Sequence, residues 1–142
     1  MDRRNMLGWM MMSGVAVATV AAEPAHHDHA MTGKYAALIG ETGHCIDTGE
    51  ACLSHCLMML GDGHSELAGC ARTVRDLLAG CGALRQLAAA GSSHTPKMAM
   101  VVAQICKDCA AECRKHADKH EICRNCAQAC DACAKECEKV AA

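Results

Sequence analysis

Cys123-Arg124-Asn125-Cys126-Ala127-Gln128-Ala129-Cys130-Asp131-Ala132-Cys133-Ala134-Lys135-Glu136-Cys137 sets five cysteines at steps of three, four, three and four. Alternating steps of three and four mark one stripe of an α-helix, whereas a strand would repeat at two. The residues between them are charged, amide or alanine, the composition of a solvated helix face. This stretch is therefore a helix whose inward seam is made of thiols.

The same stripe recurs upstream. Cys106, Cys109 and Cys113 repeat the spacing, and Cys45, Cys52 and Cys56 follow at steps of seven and four. Cys70 and Cys81 stand eleven apart on one stripe, with Val74, Leu77 and Leu84 at the seam positions around them. All 13 cysteines of the 142-residue chain thus fall on inward stripes.

Punctuation separates these stripes into four helices. A first helix is expected from about Gly33 to Leu60, stopping at Gly61-Asp62-Gly63, with a weak point near Gly43. A second starts behind Ser65 as N-cap and ends near Ala90, before Gly91-Ser92-Ser93. A third opens with Thr95 as N-cap and Pro96 in its first turn, and runs to about Ala117. A fourth opens at Asp118, which pairs with Glu121 in the spacing of a capping box. Long helices joined by short turns fold back on one another. The expected fold is all-α, an antiparallel up-down-up-down four-helix bundle with a cysteine-lined core.

Composition excludes several functions. Phe is absent and Trp and Tyr occur once each, so bases have no aromatic platform, and a net charge of -2 gives no footprint for nucleic acid. No Ser/His/Asp arrangement, inward carboxylate pair or phosphate-cradling glycine loop stands out, so no enzyme activity is expected. Arg3 and Arg4 precede an uncharged run from Gly8 to Ala22, which reads as a twin-arginine signal peptide and predicts export to the periplasm. That run is short for a membrane span, and stable insertion is not expected.

Thirteen registered thiols admit several explanations. Cysteine packs as a small hydrophobe, but Ala, Val or Leu would fill the seam without its oxidation hazard. Disulfides suit an exported chain, yet the count is odd, and cysteines three or four apart on one helix do not readily reach disulfide geometry. Inter-helix bridges stay open as an oxidised form. Among metals, zinc and iron–sulfur clusters favour closed sites on loops, to which a rod-like row of thiols is poorly shaped. Cu(I) is soft, accepts two or three thiolates and lets sulfur bridge neighbouring ions. With a helical rise of about 5.4 Å per turn, the pairs Cys52/Cys56, Cys109/Cys113, Cys126/Cys130 and Cys133/Cys137 could hold a string of ions. Cys126, Cys130 and Cys133 also match the spacing of an iron–sulfur radical-enzyme loop, but the helical register continues on both sides. A thiol-redox or general soft-metal detoxification role is the alternative.

With these residues in view, the chain from Gly33 to Ala142 resembles the bacterial copper storage proteins, and Arg3-Arg4 resembles their exported members. The resemblance implies storage of multiple Cu(I) ions, up to about one per cysteine. It also implies a homo-oligomer, a tetramer, and a copper-requiring enzyme such as methane monooxygenase, or a copper chaperone, as recipient. The expected organisation is a signal peptide over 1–22, a flexible segment over 23–32 and the copper-binding bundle over 33–142. His26, His27 and His29 in the middle segment are a weak metal contact.

The topology gathers His55, Met58, Met59, His64, His116 and His120 at one end of the bundle. Imidazole and thioether bind Cu(I) more weakly than thiolate, as suits a mouth that passes ions inward. The other end is expected to be plugged by Leu38 and Leu87.

Overall fold

The computed structural model describes residues 33–142. Its helices follow in order: α1 (Ala36–Gly61), α2 (Ala68–Ala89), α3 (Thr95–Arg114) and α4 (Glu121–Ala141). A 3-10 turn, Ser65–Leu67, leads into α2. Each helix packs on its neighbours in chain order, and α1 closes the ring against α4. Among the described residues the backbones of diagonal helices do not approach one another, so the axis between them is filled by side chains, as expected of an up-down-up-down bundle.

The ends differ in detail from the sequence expectation. Thr95 is the first residue of α3 and not its cap, because the Thr95 N–H already donates to the Ser92 carbonyl at 3.1 Å and the His94 carbonyl accepts from Met98 at 3.0 Å. The Thr95 hydroxyl is buried instead, with no hydrogen-bond partner among the described residues. Ser65 opens the 3-10 turn, and Asp118 stays in the turn ahead of α4, whose first free N–H groups bond the His120 carbonyl. None of these helix starts carries a side-chain cap hydrogen bond. Gly63 (φ 94°) and Gly91 (φ 62°) take the left-handed conformation that reverses the chain after α1 and α2.

No break occurs at Gly43, and α1 is continuous. One of its glycines, Gly49, serves packing. A Cβ on Gly49 would stand 3.1 Å from Leu78 Cδ2 and 3.2 Å from Leu77 Cδ2, so the missing side chain is what lets α2 approach. Gly80 makes the same allowance for Ile105 of α3, at 3.0 Å. The outer faces carry ion pairs between α3 and α4, Lys107 with Glu138 at 2.5 Å and Arg114 with Asp131. These exposed pairs contribute little, roughly 0–1 kcal/mol each.

Core composition changes along the axis. Leu38, Thr42, Leu84, Thr95, Ala99 and Val102 fill the end where α1 begins, all fully buried. Leu38 occupies the expected plug position, while Leu87 is only half-buried and Leu84 takes the inward place. Toward the opposite end cysteines predominate, with Leu67, Val74 and Leu77 fully buried beside them.

Candidate metal centre

All thirteen cysteines have no exposed surface, and all are free thiols. Every helix contributes, so the seam positions read from the sequence converge on one column. Sulfurs meet between helices at short range: Cys70 and Cys113 at 3.3 Å, Cys52 and Cys70 at 3.9 Å, and both Cys45/Cys130 and Cys81/Cys133 at 4.0 Å. Within α3, Cys109 and Cys113 stand 4.0 Å apart.

The column divides into sets whose ligand atoms lie within 4.8 Å of one another. Nearest the mouth are Cys52, Cys56, Cys70 and Cys123; next come Cys52, Cys113 and Cys126, then Cys109, Cys126 and Cys130. Cys45, Cys81, Cys106 and Cys133 form a deeper level. Cys137 lies beside Cys133, to which its thiol bonds. The deeper level corrects one sequence expectation. A row of thiols on rods is ill-shaped for a closed tetrahedral site when each rod is taken alone, yet four rods each supply one thiol to the same height.

Protons are unevenly shared in this column. The Cys106 and Cys130 thiols beside Cys45 hold it down at about 6, well below an ordinary thiol, and the thiols of Cys106 and Cys137 hold Cys133 at about 5. Cys56 and Cys126 are likewise lowered, by Cys123 and by Cys109 respectively. Their partners are raised: Cys106 by Cys133, Cys113 by Cys109 and Cys130 by Cys109. Lowered and raised thiols thus share the column without strict alternation, since Cys70 and Cys113, in contact at 3.3 Å, are both raised.

At the mouth, His55 Nε2 and His120 Nδ1 are 3.0 Å apart and part-buried, one step outside Cys56. Met59 packs against the core and His116 is half-buried in the turn before α4. Met58 is 61% exposed, and His64 turns outward to Glu66, with Nδ1 3.2 Å from Oε1. Of the six predicted mouth residues, the fold brings two into direct contact. The sequence names every cysteine of the column and not how they partition, because partition depends on the relative heights of the helices. His26, His27 and His29 lie outside the described residues.

Fold and site together define a class: a helical bundle that keeps a column of soft ligands inside a closed core. Residues 31–142 match the family model described as copper storage protein, and the chain belongs to that family. It is similar to the uncharacterized cysteine-rich protein YhjQ of Bacillus subtilis (strain 168), 33% identical over 100 residues that cover 69% of this chain and 90% of that protein. Apo copper storage protein 3 from Bacillus subtilis superposes with a TM-score of 0.68 at 30% identity, over 76% of this chain and 99% of that one. A cytosolic copper storage protein from Streptomyces lividans, solved with five coppers, gives a TM-score of 0.68 at 30% identity, over 75% and 90% of the two chains. Another structure of the Streptomyces lividans protein is loaded with 10 copper equivalents.

This comparison overturns one expectation. Export to the periplasm by the twin-arginine route rests on Arg3, Arg4 and the apolar run to Ala22, all outside the described residues, whereas the similar Streptomyces protein is cytosolic. An arginine pair before a short apolar run is a local pattern that needs no particular fold around it. Among the described residues, no helix is long and apolar enough to cross a membrane.

Proposed function

We propose that this chain takes up, holds and gives back multiple Cu(I) ions as cargo, with the thirteen cysteines as ligands. The observation that carries this reading is the column itself, thirteen fully buried thiols in adjoining sets. With a metal–sulfur bond of about 2.3 Å, two thiolates in line stand about 4.6 Å apart and three in a plane about 4.0 Å. The spacings of 3.3–4.0 Å and the 4.8 Å limit of each set bracket these values. Cys52 and Cys126 each serve two sets, as sulfurs that bridge neighbouring soft ions would. Of the CxxxC pairs, Cys52/Cys56 and Cys126/Cys130 each fall within one set, and Cys109/Cys113 divides between two neighbouring ones.

The His55/His120 pair is the first landing site, with Met59 and His116 beside it and Met58 and His64 further out. Weaker imidazole and thioether ligands outside, and thiolates inside, set a gradient that draws ions inward. No catalytic residue is assigned. The recipient is a copper-requiring enzyme or a copper chaperone, and the working unit is a homotetramer. Exposed Leu57, Met100 and Val101 supply apolar surface in support of assembly.

Anomalous diffraction at the copper edge from crystals of the loaded protein tests the assignment. Copper peaks are expected along the axis, each within bonding distance of two or three of the named sulfurs. Peaks confined to surface histidines would refute it.

A further inference from the structure

One set in the column differs from the rest. Cys45 of α1, Cys81 of α2, Cys106 of α3 and Cys133 of α4 share no member with any other set, whereas Cys52 and Cys126 are each claimed twice. A shared sulfur is placed to bridge ions. An unshared quartet can close on one. Here each ligand also comes from a different helix, so the four thiols approach a common point from four directions. The mouth quartet lacks this, since Cys52 and Cys56 both descend from α1 and α3 contributes nothing.

Four sulfurs around one ion at about 2.3 Å stand about 3.8 Å apart at the corners of a tetrahedron. Cys81 and Cys133 are 4.0 Å apart, and all four lie within 4.8 Å, so closure needs only small side-chain adjustments. Cys45 also touches Cys130 at 4.0 Å, a direct sulfur contact that links this level to the sets nearer the mouth. Beyond this level stand Cys137, against Cys133, and the fully buried Leu38, Thr42, Leu84 and Val102, and none of the four sulfurs has exposed surface at which water could join as a fifth ligand. A closed, dry, tetrahedral four-thiolate site is the form favoured by Zn(II), a filled-shell ion with no geometric demand of its own.

We propose that this level is a zinc site: in the copper-poor protein one Zn(II) is held by Cys45, Cys81, Cys106 and Cys133, ties the four helices across the core, and is displaced as Cu(I) fills the column. The proposal rests on the reading of the core as a metal column. Binding expels a proton from each thiol that still carries one, and displacement by Cu(I) returns Zn(II) to solution with the thiolates retained.

The test uses the reduced full-length chain without oxygen, with Co(II) as a coloured stand-in for Zn(II). One equivalent of Co(II) is expected to give the intense visible bands of a tetrahedral thiolate site, and Zn(II) to bleach them. Cys81→Ala and Cys106→Ala should each abolish those bands, while Cys70→Ala, outside the level, should keep them. Circular dichroism checks that each variant is helical, and Cys133→Ser replaces any that is not. Absence of the bands in the parent chain, or their survival in both level variants, would overturn the proposal. Cu(I) titration of the same samples separates the two readings. A parent chain that takes many Cu(I) and no Co(II) refutes the zinc site alone, and one that takes neither refutes the column as well.

Discussion

His55 Nε2 and His120 Nδ1 lie 3.0 Å apart and bridge the last turns of α1, next to Cys56 in the chain, to the residue ahead of α4. One ring donates its N–H to the bare nitrogen of the other, so the donor ring keeps its second nitrogen bare, as a ligand for an ion would be, while the acceptor ring's second nitrogen carries a proton. Replacing both histidines with alanine is expected to slow Cu(I) uptake about tenfold or more, as loss of a supporting ligand does for other metal sites, and to leave the final stoichiometry unchanged. Stopped-flow absorption in the thiolate-to-copper band checks both.

Gly49 and Gly40 should respond to substitution in opposite directions. Gly49→Val pushes against Leu77 and Leu78, the former fully buried, and should destabilise the bundle by about 1–3 kcal/mol. A Cβ at Gly40 would meet nothing within 4 Å, so Gly40→Ala should stabilise by about 0.5–1 kcal/mol through helix propensity. Chemical denaturation of the metal-free, reduced protein measures both.

Copper retention should fall in acid. Cys45 and Cys133, at about 6 and about 5, are thiolates at neutral pH and cost no proton to metallate. As pH falls through those values both take up protons, and Cu(I) must then displace them. Affinity measured against a pH-corrected chelator is expected to drop more steeply below about pH 6 than above it. Cys106, Cys113 and Cys130 are raised and hold their protons at neutral pH, so loading there should acidify a weakly buffered solution.

Loading should stabilise the fold. Ions that bind the assembled column and not the unfolded chain shift the equilibrium by mass action, about 2.7 kcal/mol for each site held at a hundredfold excess over its dissociation constant. The melting temperature is therefore expected to climb with each equivalent of Cu(I) added. A melting temperature independent of copper would mean that the ions sit outside the bundle.

Much of this is legible in the residues because one residue type marks the seam. Cys123 to Cys137 fixes a helical face by spacing alone, and Val74, Leu77 and Leu84 fill the same role in α2 with ordinary hydrophobes. The helix ends are less legible. Thr95 and Asp118 have the chemistry of caps, but turn geometry at Ser92 and His116 decides where the first N–H groups go. Least legible is the grouping of thiols. Which of Cys126, Cys130 and Cys133 stands level with Cys45 depends on how closely α1 and α2 approach at Gly49 and on the lengths of the turns, quantities that no single helix carries. The N-terminal arginine pair misleads for the opposite reason, since a local pattern brings no fold against which to test it.

Anaerobic titration of the reduced chain with Cu(I) against a strong competing chelator bears most directly on the column. The account predicts saturation at many ions per chain, near the number of cysteines, with thiolate-to-copper absorption rising throughout. Saturation at one or two ions would contradict it, and would mean that the thirteen buried thiols are packing.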